Sequence, residues 1–351
     1  MTDDISFERR GAAGLITLNR PQALNAVTHA MVLALRAQLD GWGNDPAITR
    51  VVIQAAGERA FSAGGDIRAL YDLGQAGRHG EALQFWRDEY PLNVAIKNFR
   101  KPYVALIDGL VMGGGVGVSV HGSHRVAGDR FQFAMPEVGI GFFPDVGATW
   151  FLPRMPGELG VYCALTGERF GLADGCGAGL ATHRIPSARF GALLDGLAGT
   201  VSVDAVLAAF AEPVGEGPIL ARRAAIDRLF AASEVEDILN ALDREAASGG
   251  ADAEWAGKTV AAMRAKSPLS LKLALAQVRR GKSWDFETCM RAEFRIVSRV
   301  IHGHDFSEGV RAVIVDKDNK PRWQPSRLVD ITAAEVERHF APLGDRELVL
   351  A

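Results

Sequence analysis

The chain has 351 residues, 48% of them apolar, and a formal net charge of −3. That is enough apolar material for one large domain or two modest ones with a sizeable core, and it excludes a disordered tail. The signs of charge are mixed throughout, with no basic field and no long like-charged run, so nucleic acid is excluded as a partner. The opening stretch "MTDDISFERR" is acidic and then basic with no apolar run behind it, and no segment stays apolar for the length a membrane helix needs. A soluble, cytoplasmic protein without a membrane partner is the expectation. Cys163, Cys176 and Cys289 are widely spaced and lack histidines at metal-ligand spacing, which reads as reduced thiols and no metal site.

"GLITL" (Gly14 to Leu18) reads as a strand, and after Asn19-Arg20-Pro21 comes a helical stripe of Met31, Leu35, Leu39 and Trp42 with Thr28 placed to cap it. "RVVIQAA" from Arg50 is the next buried strand. A second helix starts near Asp66, "YVALIDG" from Tyr103 is a third strand, and "MGGGVG" opens a third helix. "HRVAG" and "FQFAMP" add two short strands, and the alternation argues for an α/β core. From about residue 200 the pattern turns helical. Phe286, Met290, Phe294, Val297 and Ile301 make a clear stripe, and Ser267-Pro268 forms a cap with a first-turn proline. "ASGGADAE" from Ala247 reads as an exposed connection. The expected organisation is a core over residues 1–200 and a mainly helical region over 201–351.

Two glycine turns, "FSAGGD" (Phe61 to Asp66) and "VMGGGVG" (Val111 to Gly117), each stand at the start of a helix. Glycine there uncovers backbone N–H groups at the positive end of the helix, where they have no internal partner. Two such turns facing one another would put two donors on a single carbonyl oxygen. The plain alternative is tight turns and close packing. Neither turn is a dinucleotide fingerprint or a phosphate loop, and "GVSVH" has His121 where a serine nucleophile elbow needs glycine. Downstream, "FAMPEVGIGFFPDVG" holds Glu137 and Asp145 in a stretch without other charge, where ionised groups are costly unless paired or used. Glu137 after Pro136 could open a helix and Asp145 could stabilise a turn.

Taken together, "LNRPQALNA", "AFSAGGDI", "KPYVALIDGLVMGGGVGVSV", "FAMPEVGIGFFPDVGATWFLPR" and "ALTGER...AGLATH" resemble, in order and spacing, the crotonase (enoyl-CoA hydratase/isomerase) superfamily across roughly residues 5 to 190. The resemblance implies a spiral core of repeated ββα units that binds acyl-CoA thioesters, with the thioester oxygen held by two backbone N–H groups. On this sequence those donors are Gly65 and Gly114. It also implies that "LNRPQALNA" and the "FSAGGD" turn, with Ala63 and Asp66, embrace the nucleotide part of CoA, and that Lys317 stands near a CoA phosphate. A helix-start role for Asp66 and a solvated Lys317 are the structural alternatives.

Family members that hydrate enoyl-CoA use two glutamates. The position of the first, three residues after the oxyanion glycine, is Gly117 here, whereas the second matches Glu137. Asp145 stands where the family has the glycine of a proline-glycine turn. This pattern, with "SPLSLKLAL" and "HGHDFSEGVRAVIVDKDNKPRWQP", resembles the 3-hydroxyisobutyryl-CoA hydrolase branch, whose role is in valine breakdown. The resemblance implies a thioester hydrolase that needs no cofactor, CoA being part of the substrate. Glu137 would serve as general base or nucleophile and Asp145 as an aid to the substrate hydroxyl or the leaving thiolate, with Gly117 leaving room for a branched acyl group. Phe142, Phe143 and Trp150 would either wall that group or pack the core. An enoyl-CoA hydratase or isomerase and a non-catalytic CoA-binding protein are the alternatives, and a homo-oligomer built through the C-terminal helices is an open expectation.

Overall fold

The chain opens as a hairpin, Ile5–Arg10 (β1) against Ala13–Leu18 (β2), with Ile5 opposite Leu18 and Arg10 opposite Ala13. Gly11 makes the turn at φ +59°, and a Cβ there would stand 2.2 Å from the Ala198 carbonyl oxygen, so only glycine fits. The computed structural model describes residues 3–350. Its contacts divide the chain into two units. The first comprises the residues up to Asp66, Asp88–Ala134 and Arg169–Ala221, and the second Ile67–Arg87, Met135–Glu168 and the residues from Arg222 onward.

In the first unit strands come in pairs, and each pair splits between two sheets. Arg50–Ala55 (β3) is followed by Ala60–Ser62 (β4), Tyr103–Ile107 (β5) by Leu110–Met112 (β6), and His124–Ala127 (β7) by Gln132–Ala134 (β8). Phe170–Gly171 (β9) and His183–Arg184 (β10) complete the set. One sheet runs β1-β2-β3-β5-β7-β10, parallel after the first hairpin, and the other runs β4-β6-β8-β9. Each strand pair with its following helix is one ββα repeat. All five residues of β5 are buried, as befits a parallel strand covered on both faces. Leu15, Val52, Val104, Leu106 and Val126 of the larger sheet pack with Leu193, Leu197 and Leu207 from the helices Phe190–Ala198 and Val203–Phe210. The expected cap is present, with the Thr28 hydroxyl accepting the Met31 N–H at the head of the helix His29–Asn44.

The helix at "MGGGVG" is a single turn, Gly114–Gly117, because glycines and β-branched valines propagate a helix poorly. The second unit is mainly helical. Ser267 caps the helix Pro268–Gly281 through the Ser270 N–H at 3.1 Å, and Phe286–Val300 carries the expected apolar stripe. Its membership differs from a break near residue 200. Residues 169–221 belong with the sheets, whereas 135–168, which hold Glu137 and Asp145, belong with the C-terminal helices.

Candidate active site

In the first unit the two glycine turns abut. A Cβ built on Gly114 would lie 3.2 Å from the Gly65 nitrogen, and one on Gly64 would lie 3.7 Å from the Gly113 Cα. Gly65 pairs with Val27 as a parallel bridge, in which Val27 N–H donates to the Gly64 carbonyl and Asp66 N–H to the Val27 carbonyl. That pattern turns the N–H of Gly65 itself to the opposite side of the strand. Gly114 is the first residue of its helical turn, so its N–H has no helical acceptor. Among the described residues neither N–H has a hydrogen-bond acceptor. The left-handed Gly64 (φ +114°) and Gly113 (φ +44°) bring the turns to this approach.

The segment before the first turn is zipped to it. Asn25, 1% exposed and left-handed at φ +54°, donates to the carbonyls of Ala56 and Ala60 and accepts the Arg20 N–H. Ala63 donates its N–H to the Leu24 carbonyl at 2.9 Å. Arg20 pairs with Asp66 at 2.9 Å. The carboxylate proposed for the CoA set therefore ties the "LNRPQALNA" segment to the turn, which is a structural role for Asp66.

Sequence reasoning missed Glu89. It is 1% exposed on the helix His79–Lys97, and its Oε1 lies 2.9 Å from where a Gly114 Cβ would stand. A carboxylate is thus built against the second glycine turn. The signal was present, because Glu89 and Asn93 share the buried stripe of Ala82, Phe85 and Trp86. Gly117 is buried, and its carbonyl accepts from the Asn93 side chain at 3.2 Å.

In the second unit Glu137 opens the short helix Glu137–Ile140 and is 6% exposed. Its Oε2 is buried without a hydrogen-bond partner among the described residues. Burial, and then the charge of Asp145, push its carboxyl well above the usual carboxylate range, against a smaller opposing pull from its own backbone N–H. Asp145 is 4% exposed and accepts the Ala148 N–H on its carbonyl at 3.0 Å. Glu293, also missed, is fully buried and close enough for the Asp145 charge to act on it; burial first and that charge second push its carboxyl up to about 8. Phe142 stacks on Trp86 and packs on Phe143 and Phe306, so core packing accounts for it. Trp150 lies under the Arg154 guanidinium. Lys317 is exposed at φ +58° with its carbonyl accepting from Asn319, a solvated lysine. A cavity of about 610 Å³ in this unit is lined by Gly141, Asp305, Phe306 and His339, and by neither Glu137 nor Asp145.

The enoyl-CoA hydratase/isomerase family model matches residues 13–340. The chain belongs to that family. Among its relatives is the mitochondrial 3-hydroxyisobutyryl-CoA hydrolase of Danio rerio, 44% identical over 99% of this chain and 92% of that protein. The enzyme of the same name in Homo sapiens is 39% identical over 99% and 90%. Among solved structures, a carnitinyl-CoA dehydratase from Mycobacterium thermoresistibile superposes with a TM-score of 0.93 at 41% identity, covering 99% of each chain. The crotonase fold expected from the motifs is therefore present. Gly117 gives the "MGGGVG" turn no side chain at that position. Among the described residues no cluster of His, Cys, Asp and Glu forms a metal-ligand set, and no helix is long and apolar enough to cross a membrane.

Proposed function

We propose that this family member hydrolyses acyl-CoA thioesters, with 3-hydroxyisobutyryl-CoA as substrate and 3-hydroxyisobutyrate and CoA as products. The observation that carries the reading is the carboxylate pattern: Gly117 is bare, while Glu137 is buried with one oxygen unengaged and Asp145 acts on its charge. Hydration across a double bond needs an acid and a base at two carbons, whereas hydrolysis needs attack at one carbonyl carbon and a stabilised oxyanion.

In this reading the N–H groups of Gly65 and Gly114 polarise the thioester oxygen. The water oxygen bonds to the carbonyl carbon as Glu137 takes its proton, the C–S bond then breaks, and the proton returns to the CoA thiolate. Alternatively Glu137 attacks first, expelling the thiolate, and water cleaves the mixed anhydride. Asp145 is the acceptor offered to the substrate hydroxyl, or an aid to proton transfer to the leaving thiolate. A carboxylate raised above the usual range by burial and by the Asp145 charge is a stronger proton acceptor once ionised. Ala63 in its turn and Lys317 complete the proposed CoA contacts. No cofactor enters the reaction. A role in valine breakdown, a cytoplasmic location and a homo-oligomer belong to the same proposal, although the vertebrate relatives are named mitochondrial.

The second reading, a hydratase or isomerase working with Glu137 alone, is favoured by neighbours such as the enoyl-CoA hydratase from Rhodobacter sphaeroides, TM-score 0.92 at 40% identity. Thiol release measured with a disulfide reagent separates the two. Thiol from 3-hydroxyisobutyryl-CoA with crotonyl-CoA untouched supports hydrolysis. Loss of the conjugated double bond of crotonyl-CoA without thiol overturns it, and binding of both without turnover makes the chain a CoA-binding protein.

A further inference from the structure

The segment Pro144–Thr149 is held on both sides by residues from the C-terminal helices. On one side Gln277, fully buried on the helix Pro268–Gly281, donates its amide to the Pro144 carbonyl. On the other, the two oxygens of Glu293 on the helix Phe286–Val300 accept the Gly147 N–H at 2.8 Å and the Thr149 N–H at 2.9 Å. These are N–H groups at the head of the short helix Ala148–Phe151, which its own turns leave without acceptors. Between the clamps lie Asp145 and then Val146 at φ +51° and Gly147 at φ +90°. A β-branched residue in the left-handed region is strained and persists only where its surroundings hold it. Gly281 lets the first helix come this close, because a Cβ there would stand 1.7 Å from the Thr149 carbonyl oxygen.

We propose that Glu293 is a positioning residue for the reaction, acting through Asp145: by accepting the Gly147 and Thr149 N–H groups it locks the strained turn that aims the Asp145 carboxylate. A buried carboxyl costs a great deal unless it is used, and a plain helix cap would be served by serine or threonine without a second charge beside Asp145. The groups that act on or feel Glu293 are Asp145 from the turn and Cys289 from its own helix, and Arg154 acts on Cys289. Arg154 donates to the carbonyls of Trp150, Gly281 and Trp284 and forms no ion pair with Glu293. Burial first and the Asp145 charge second raise the Glu293 carboxyl.

This inference rests on the hydrolase reading, and a double-mutant cycle keeps the two apart. Wild-type thiol release from 3-hydroxyisobutyryl-CoA tests the reading itself. Glu293→Gln keeps the shape but opposes an amide NH₂ to one backbone N–H, and is expected to lower kcat about tenfold or more with KM within threefold, since small misplacements cost this much. In an Asp145→Asn background the same change is expected to cost less than twofold, because its effect passes through the missing carboxylate. The wild-type kcat/KM profile is expected to carry an inflection that Glu293→Gln lacks. Equal losses in the two backgrounds, or an unchanged pH profile with only a lower Tm, would overturn the proposal. Should Glu293→Gln fail to fold, Glu293→Asp serves in the same cycle, since it keeps the charge but cannot reach both amides. Intermediate kcat with the inflection retained supports the proposal, and wild-type kcat overturns it.

Discussion

Glu137 is buried, raised above the usual carboxylate range and left with an open oxygen, three properties a structural carboxylate avoids together. Replacement by glutamine preserves shape and removes the proposed base or nucleophile, so Glu137→Gln should retain CoA binding by calorimetry while turnover falls by roughly 10²–10⁴-fold. Because Glu137 must be ionised to act and ionises late, kcat/KM should climb with pH through a range above that of ordinary carboxylates; a rate independent of pH from about 4 to 8 would exclude it as the base. Gly114→Ala should cost about 10²-fold in kcat, since its methyl group meets Glu89 Oε1 at 2.9 Å and shifts the N–H proposed as an oxyanion donor. Glu293 carries a stability prediction. Its carboxyl binds a proton more tightly folded than unfolded, so its contribution is full below the usual carboxylate range and is lost as pH rises through about 8. Thermal scans across pH 5 to 9 should show Tm falling more steeply for wild type than for Glu293→Gln.

Helices deliver these carboxylates, and the pattern of each helix conceals them. Glu89 sits on the stripe of Ala82, Phe85 and Trp86, and Glu293 on that of Phe286, Met290, Phe294 and Val297. An acidic residue on an apolar face is a departure from amphipathic patterning that the sequence does display. What it does not display is the partner, because Gly114 lies 25 positions beyond Glu89, and Gly147 lies 146 positions before Glu293. Where two elements touch through glycine, substitution tests the approach directly. Gly281→Ala would force a methyl group to 1.7 Å from the Thr149 carbonyl, so the helix must withdraw, and a loss of about 1–3 kcal/mol read from denaturant unfolding is the expected result.

At the scale of the whole chain, residues 135–168 share a unit with the C-terminal helices, and not with the sheets that precede them in sequence. A chain truncated after Ala221 would therefore leave Glu137 and Asp145 without Gln277, Gly281 and Glu293. Loss of thiolesterase activity together with exposed apolar surface, read by dye binding, is expected; an active truncated chain would contradict this organisation. The five motifs made the family and its two glycine turns legible, because each rests on local spacing and backbone freedom; that the turns abut was decided by the fold. The change of pattern near residue 200 suggested a break there, whereas residues 169–221 belong with the sheets, because periodicity carries no information on which segments pack together.

By itself the sequence determined most of the elements, the two glycine turns and the absence of a side chain at Gly117, since these follow from residue type and short-range spacing. Only the tertiary structure decided that Asp66 ties to Arg20, that Phe142 is spent on an aromatic cluster, and that Glu89 and Glu293 stand beside the glycine turn and the Asp145 turn respectively. The physical reason is that charge becomes functional or structural through burial and partners, and both are properties of contacts between residues far apart along the chain.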